Sequence, residues 1–559
     1  MSAAPAGPSV ARRILAGLVL LVAAVLAGGV AAADLTGALS GVGPDEASSA
    51  DGSLLAPAHQ AAVAVGEASR AGTGAAACPV VGGGEESARL VMASATGGQS
   101  RVRVQRFQEG RARVGPPEDV DAATPLQVDL GAAQAARPAG ARWRGEPVVV
   151  SRLVGGSPAA AGPCEAYPHP VWHVAGFDTT LESQATLHLV NPYLTDAVVR
   201  VTFATPEGAS TLVRTDNVLV AAGGHRALDV TDLQPQHPEL AATVEVLAGR
   251  VMAQGEMVWG TTDQQQGPQG RAMLAAVPGR VDADAGAGAK RGADTATGAT
   301  EAPAPGGQEA QGAATGDHGG VLAATGARAG DRYTSWLVVH NPGSRTASFE
   351  LSVTDPRQDA PALMTETGVP AGGVVRVDLS QVSTASVFAV AIEPVDDARL
   401  TATRVTAITT SDGRQDVSAA PLKPPATGWA LAGARADAGR LMVANFDGEP
   451  AGVDVDAGGA TPKGWTGRQV AAGAAASFPL GELDGDGPVP VRVDADNPVV
   501  VGVSRLEGGP DVSLWSLAGT DLATWRAIAD PAVRRDRTLP GRLPPPRPGE
   551  EASEGPARP

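Results

Sequence analysis

The sequence predicts an all-β fold made of four degenerate immunoglobulin-like β-sandwich repeats in tandem. Three observations predict it. Short apolar strands that end at a polar turn residue recur at similar spacing, the strand segments alternate apolar and polar residues, and no long helical stripe follows Val30. A strand buried on one face shows such alternation because successive side chains point to opposite faces of a sheet. The alternative is a β-propeller with two blades per unit. We favour sandwiches because the spacing recurs by whole units.

The amino-terminal segment predicts export. Residues 1–13 end in Arg12 and Arg13, and the apolar and small residues of 14–33 follow. A basic region, an apolar stretch and small residues are typical of a signal peptide, whereas roughly 20 apolar residues also suffice for a transmembrane helix. We expect residues 14–33 to be an uncleaved transmembrane helix, with a cleaved signal peptide and a secreted protein as the alternative. In both cases residues 1–13 begin inside the cell and the rest of the chain is extracytoplasmic.

Three further segments are predicted to be disordered because they have few large apolar residues. They are a stalk at 34–77, an insertion at 281–320 and a tail at 521–559. The whole chain of 559 residues has a formal net charge of −17. This acidic balance argues against nucleic acid as a partner, since phosphates are bound by basic surfaces.

The four repeats are predicted at 78–164, 165–280, 321–420 and 421–520. Each holds an apolar strand that stops at a short polar residue. These turn residues are Ser94, Asn191, Asn341 and Asn445. Asn and Ser fit such a position because their side chains hydrogen-bond the backbone of a turn.

A further strand comes 34 to 38 residues after each turn residue. It carries Asp129, Asp229 and Asp378 in the first three units and Pro479 in the fourth. Paired carboxylates can hydrolyse glycosidic bonds, but such a pair belongs to a single cleft. An Asp that recurs from unit to unit therefore predicts a structural role.

Several of these motifs resemble a known family. They are the basic region and apolar helix at the amino terminus, Trp-x-x-x-Gly at Trp172 and Trp429, strands ending in Asn-Pro, and Ala-Gly-Gly followed by Asp, all in a chain rich in Arg and poor in Lys. The chain resembles large secreted or membrane-anchored actinobacterial proteins that carry only a domain-of-unknown-function label. The resemblance covers about Cys78 to Thr520 and implies a single-pass envelope protein without an assigned activity. The first unit departs from the pattern, because Ser94 is followed by Ala95.

Export makes a disulfide between Cys78 and Cys164 chemically reasonable. The loop that it would close is long, and the chain-entropy model gives a stabilisation of roughly 4–5 kcal/mol. The alternative is a pair of unpaired buried thiols.

The sequence predicts no catalytic residue, metal site or cofactor. His169 and His173 are separated by Pro170, which argues against a helix that presents both to zinc. No Gly-x-Ser-x-Gly elbow, phosphate-binding loop or dinucleotide-binding motif is present. Trp465 lies in a Gly-rich loop, where an exposed ring would suit the stacking of a sugar ligand.

The resulting functional prediction is a non-enzymatic, membrane-anchored extracytoplasmic protein of the cell envelope with a structural or binding role. Its predicted partners are the membrane, through the amino-terminal helix, and cell-wall polymers or envelope proteins. The alternative is an exported glycan- or polymer-binding accessory protein, and a third hypothesis is a secreted hydrolase.

Overall fold

A computed structural model describes residues 73–522 apart from 79–87, 109–110, 122–123, 132–136, 155–159, 166–167, 182, 194, 261–269, 280–319, 329, 331, 358–361, 384, 396–397, 410–414, 436–438, 484–487 and 508–512. The predicted amino-terminal helix at 14–33 lies outside the described residues, as do nearly all of the predicted stalk, insertion and tail. Within the described ranges, no helix combines the length and apolarity needed to cross a membrane.

The described chain is all-β, which confirms the predicted class. Its described strands pair only in the antiparallel sense and form seven sheets in four successive groups: two sheets in each of the first three groups, and in the fourth one eight-stranded sheet that folds into two layers. The described helices are short: the α-helix α1 (Val230–Leu233) and three 3-10 turns at Val213–Thr215, Leu379–Gln381 and Leu480–Glu482.

The first group contains β1 (Thr73–Cys78), β2 (Ala88–Ser94), β3 (Ser100–Gln108), β4 (Arg111–Val120), β5 (Leu126–Asp129), β6 (Ala139–Gly145), β7 (Val148–Val154) and β8 (Ala160–Pro163). The second contains β9 (Val171–Phe177), β10 (Ser183–Val190), β11 (Ala197–Thr205), β12 (Gly208–Thr211), β13 (Val218–Val220), β14 (His225–Asp229), β15 (Leu240–Ala248), β16 (Met252–Trp259), β17 (Gly270–Ala275) and β18 (Val277–Gly279).

The third group contains β19 (Leu322–Ala327), β20 (Tyr333–His340), β21 (Ala347–Thr354), β22 (Ala362–Val369), β23 (Val374–Asp378), β24 (Phe388–Pro394), β25 (Thr401–Thr409) and β26 (Gln415–Pro421). The fourth contains β27 (Ala426–Arg435), β28 (Gly439–Ala444), β29 (Ala451–Ala457), β30 (Arg468–Val470), β31 (Ala475–Pro479), β32 (Pro488–Glu507), β33 (Ser513–Ala518) and β34 (Thr520–Asp521).

Two sheets in each group face each other across an apolar core. In the first group one sheet has the order β1-β6-β3-β4 and the other β5-β2-β7-β8. The third group has the same two orders, β19-β24-β21-β22 and β23-β20-β25-β26. The second group adds short strands to this scheme, and in the fourth the single long strand β32 runs through both sheets.

This strand order differs from that of the immunoglobulin fold. There the first strand lies beside the second, and the last strand lies beside the sixth. Here β1 pairs with β6, whereas β7 pairs with β2. The first and seventh strands have therefore exchanged sheets, and all pairs remain antiparallel.

The four groups close on one another. The last strand of each second sheet contacts its counterpart in the next group: β8 contacts β17, β17 contacts β26, β26 contacts β33, and β33 contacts β8. Arg492 of the fourth group also donates to the carbonyl oxygen of Thr96 in the first group at 3.3 Å. The described chain is consequently one compact body, in which the four groups are not separate domains.

A glycine bulge bends the first strand in three of the groups. Gly176, Gly326 and Gly433 each follow the start of the Trp-x-x-x-Gly or Leu-x-x-x-Gly motif, and their φ angles are 106°, 82° and 92°. The pairing register shifts beside each of them. A side chain would strain a backbone in this region, which explains why glycine stands there.

Candidate functional site

Three of the predicted turn residues make the same buried hydrogen bonds. The amide Nδ2 of Asn341 donates to the carbonyl oxygens of Arg345 at 2.7 Å and Val369 at 3.1 Å, and its Oδ1 accepts from the backbone N–H of Gly343 at 2.9 Å. Asn191 and Asn445 make the same hydrogen bonds. In each, Nδ2 donates to the carbonyl oxygen four residues later and to a carbonyl oxygen at the end of a strand in the facing sheet, and Oδ1 accepts from the backbone N–H two residues later. All three side chains are buried. Their place is structural, because every polar atom is used to hold a turn and to join two sheets.

Ser94 occupies the corresponding end of β2 but does not make this set of bonds. Its backbone N–H donates to the carbonyl oxygen of Asp121 at 3.4 Å. Its hydroxyl is buried and has no hydrogen-bond partner among the described residues. A serine side chain is too short to reach across to the facing sheet in the way that an asparagine does.

The recurring Asp residues lie at strand ends and are outside any shared cleft. Asp229 caps α1 by accepting from the N–H of Asp232 at 3.1 Å, and Asp378 accepts from the N–H of Ser380 at 2.9 Å. Asp129 forms an exposed ion pair with Arg89 at 2.7 Å. Helix capping uses a carboxylate in this way because it satisfies a free N–H at the first turn.

The hypothesis that Trp465 is exposed for ligand stacking is wrong. Its side chain is 4 % exposed, packs in the core of the fourth group and meets the ring of Phe478 edge-on with centroids 5.4 Å apart. Apolar burial outweighs the Gly-rich loop because this ring fills the space between two sheets. Trp172 and Trp429 are also buried, and their indole N–H groups donate to the carbonyl oxygens of Val251 and Val499.

Cys78 and Cys164 form a disulfide that links the end of β1 to the residue after β8, with their Cα atoms 4.5 Å apart. Both residues are buried. The bond ties the first strand of the first group to its last strand.

A buried polar network between the first two groups was not predicted from the sequence. His225 Nε2 lies 3.1 Å from His188 Nδ1, and His188 Nε2 lies 3.0 Å from Glu256 Oε2. Arg271 places its Nε 3.5 Å from Glu256 Oε1. Arg152, on β7 of the first group, is fully buried. Burial lowers its pKa to about 10, and the negative charge of Glu256 opposes this shift. Charged residues within otherwise apolar strands were the available signal.

The carboxylate fixes the donor in one hydrogen bond of this network. A carboxylate only accepts, so in the contact with Glu256 the donor is His188 Nε2. Burial, and secondarily the nearby His188, lowers the pKa of His225 to about 3. A catalytic relay of this kind ends on a nucleophilic hydroxyl or thiol, and His225 has no such partner in the part of the chain that the structure describes. The charge of Glu256 in the second group acts on Arg152 in the first, so the network lies where these two groups meet.

A second buried arginine lies between the third and fourth groups. Arg404 donates to the carbonyl oxygen of Gly326 at 3.1 Å, to Thr406 Oγ1 at 2.7 Å and to Ser516 Oγ at 2.7 Å. Burial lowers its pKa to about 9, and the charge of Arg328 acts in the same direction. At neutral pH it stays a cation whose donors connect two groups.

Between the second and third groups, His173 and His340 stack edge to face with ring centroids 5.4 Å apart. Both are buried. Burial lowers the pKa of His340 to about 3, with a further contribution from His173, and burial lowers the pKa of His169 to about 4. His169 contacts Trp172 rather than His173, and within the described ranges no group of three or more His, Cys, Asp or Glu residues is arranged to hold a metal ion.

Glu165 and Lys423 occupy matching positions after the last strands of the first and third groups. Each pairs by a backbone bridge with a first strand, at Ala77 and Ala323. Burial raises the pKa of Glu165 to about 7, and Lys423 opposes this shift. Burial lowers the pKa of Lys423, whose Nζ donates to the carbonyl oxygen of Gly519 at 3.1 Å.

The chain matches a known protein family. The profile of a family described as "Family of unknown function (DUF5719)" matches residues 155–468, which is more than half of the chain. No curated protein matches the sequence.

Replacing the buried amide tests the role of the turn residues. We expect Asn341→Ala to lower the free energy of unfolding by about 3 kcal/mol, because it leaves buried carbonyls and an N–H without partners. The exposed Asn217→Ala is the control and should change stability by at most about 0.5 kcal/mol. Urea denaturation followed by fluorescence measures both. Equal effects of the two variants would contradict the structural role.

The buried His340 predicts a loss of stability in acid. Its pKa is about 3 in the folded protein and 6.5 ordinarily, so below pH 6.5 the unfolded chain binds the proton more readily than the folded one. The stability that the folded protein gains by keeping His340 neutral is therefore fully present above pH 6.5, and it is lost progressively as the pH falls towards 3. In His340→Phe, the stability lost between about pH 6.5 and pH 5 should be smaller by about 2 kcal/mol. The raised pKa of Glu165 has the opposite effect, because it makes the folded protein more stable as the pH falls. This effect is the same in the parent protein and in His340→Phe, so it cancels in the comparison. Parallel pH curves for the two proteins would show that the prediction is wrong.

Proposed function

The chain belongs to the family of unknown function DUF5719, and from this premise we propose that it is an exported, non-enzymatic protein with a structural or binding role in the cell envelope. Four β-sandwich units would form one rigid body, held at the membrane by residues 14–33. The single observation that carries the proposal is the Cys78–Cys164 disulfide. Such bonds persist in oxidising compartments and are rare in the cytosol.

The proposal includes an origin by duplication of an immunoglobulin-like unit. The boundaries that we propose are 78–164, 165–280, 321–420 and 421–520. It is supported by the strand order that the groups share and by the same hydrogen bonds at Asn191, Asn341 and Asn445. Unrelated sandwiches would not be expected to place the same amide on equivalent carbonyls.

A non-enzymatic role is supported by how the polar groups are used. The recurring Asp residues cap turns or form a surface ion pair. The buried histidines and arginines bond to one another or to carbonyls where groups meet. These contacts consume the groups that acid–base catalysis would need.

The glycan-binding alternative would require aromatic faces open to solvent. Among the tryptophans whose side chains the structure describes, all but Trp259 are buried. Trp259 is half-buried, and its ring meets that of Trp336 edge-on with centroids 6.1 Å apart. The described surface therefore favours a role that does not depend on stacking sugars.

Loss of the disulfide should weaken the protein strongly. We expect Cys164→Ser to lower the free energy of unfolding by about 4 kcal/mol, because a long loop is no longer closed in the unfolded state. Urea denaturation with and without dithiothreitol provides the control: the reductant should destabilise the parent protein and leave the variant unchanged. A reductant-insensitive parent protein would contradict the expectation.

The cellular location tests the proposal directly. Fractionation of producing cells should place the full chain in the membrane, released by detergent and not by salt, and accessible to protease from outside. Peptide mapping without reductant should recover the linked Cys78 and Cys164 peptides, together with residues 1–13. A mature chain beginning at Asp34 would support the secreted alternative. Cytoplasmic protein with two free thiols would overturn the proposal.

A further inference from the structure

A cleft of about 250 Å³ lies where the fourth group closes on the first. Its floor is made of buried small or aliphatic residues from both groups, namely Ala93, Val149, Ala430 and Leu431. Its rim carries the charged residues Asp456, Arg492 and Asp494 of the fourth group. A concave site with an apolar floor and a few polar groups is the usual form of a small-molecule site.

Equivalent places at two of the other contacts between groups are filled by side chains. Between the second and third groups the rings of His173 and His340 occupy it. Between the third and fourth groups Phe446 packs against the small residues Ala323 and Ala444. The shared Trp-x-x-x-Gly motif aligns the sequence of β9 with that of β27, so His173 corresponds to Ala430, each one residue after the buried Trp172 or Trp429.

At the closure of the fourth group on the first, these bulky residues are replaced by alanines. Ala430 stands where His173 would be, Ala93 where His340 would be, and Ala95 follows Ser94 where Phe446 follows Asn445. The space is thus left by the sequence of this one contact and not by the fold as a whole.

Ser94, whose hydroxyl is buried, is also among the residues that line this cleft. Ser94 is 9 % exposed, and its Oγ has no hydrogen-bond partner among the described residues. An unsatisfied buried hydroxyl is costly, and a ligand with an N–H or O–H group would satisfy it.

The charges at the rim favour a cation. Arg492 is already committed: its Nε lies 2.7 Å from Asp494 Oδ2, its Nη2 donates to Asp494 Oδ1 at 2.9 Å, and its Nη1 donates to the carbonyl oxygen of Thr96. Asp456 remains as an excess negative charge, with one oxygen accepting from the N–H of Gly459 at 3.0 Å. Glu146 adds a further carboxylate nearby, since it accepts from Thr96 Oγ1 at 2.8 Å.

We propose that this cleft binds a small organic cation, with its apolar body on the alanine floor and its ammonium group among Ser94, Asp456 and Asp494. A protein cavity of about 150 Å³ holds benzene, so the present volume suits a body of that size with a short aminoalkyl arm. The site spans the first and last groups, and a bound cation would strengthen their closure. The proposal does not depend on where in the cell the protein resides.

The test uses three probes of the same size and different charge: benzylammonium, benzyl alcohol and benzoate. Titration calorimetry on the purified protein, at constant ionic strength and neutral pH, should give the order benzylammonium, benzyl alcohol, benzoate from tightest to weakest. We expect the cation to bind about two- to fivefold more tightly than the alcohol, the range for an exposed charge pair.

Two kinds of variant separate the contributions. Asp456→Asn keeps the turn hydrogen bond and should remove the preference for benzylammonium over benzyl alcohol. Asp196→Asn is the matched control, because Asp196 also accepts from a backbone N–H but in the second group, and it should leave all affinities unchanged. Ala93→Leu should fill the floor and weaken both benzylammonium and benzyl alcohol at least tenfold. If Ala93→Leu does not fold, Ala430→Val should weaken both probes in the same way, because Ala430 is the part of the floor that the fourth group supplies.

Several results would overturn the proposal. They are the absence of saturable benzylammonium binding, equal binding of benzoate and benzylammonium, and binding that survives in folded Ala93→Leu and Ala430→Val. A loss of preference in Asp196→Asn equal to that in Asp456→Asn would assign the selectivity to the overall negative charge and would also overturn it.

Discussion

One buried side-chain amide per group holds the facing sheets in register in three of the four groups. The two sheets attract each other through apolar contacts, but apolar contacts have no direction and tolerate sliding. The Asn amide adds direction, because it donates to a turn carbonyl and to a carbonyl of the opposite sheet at fixed distances. Moving either sheet would leave these buried groups unpaired, and that cost is larger than the net gain from a single hydrogen bond.

A different kind of contact holds the groups to one another. Where one group meets the next, arginines and histidines are buried and bond across the contact, as Arg404 does with Ser516. Burying charge costs free energy unless partners are supplied. These contacts therefore form only in the correct arrangement, while the small residues of β8 allow β17 to approach closely, since a Cβ on Gly162 would lie 2.9 Å from Met273 Sδ. Apolar packing supplies the attraction and the buried polar groups supply specificity.

The sequence contained enough to predict the all-β class and the turn residues, because Asn191, Asn341 and Asn445 act within their own group through contacts that recur with the strand spacing. It did not reveal that the first and seventh strands exchange sheets, since antiparallel partners with similar apolar alternation are interchangeable in a local pattern. Trp465 was misjudged because a Gly-rich loop was given more weight than the burial of a large ring. Arg152 was missed because the charge that acts on it, Glu256, lies in another group, and the pattern along one strand does not show which charged residues meet across a contact between groups.

The first group differs from the others in a way that links its structure to the cleft. Without an asparagine at position 94, its two sheets lack the amide that joins the sheets elsewhere, and the disulfide between Cys78 and Cys164 instead fixes the two ends of this group. Small residues stand on both sides of this position, at Ala93 and Ala95, where the fourth group meets the first. A group that is closed covalently does not depend on an amide at position 94 to hold its ends together, so the departure from the repeat at Ser94 is compatible with a stable first group.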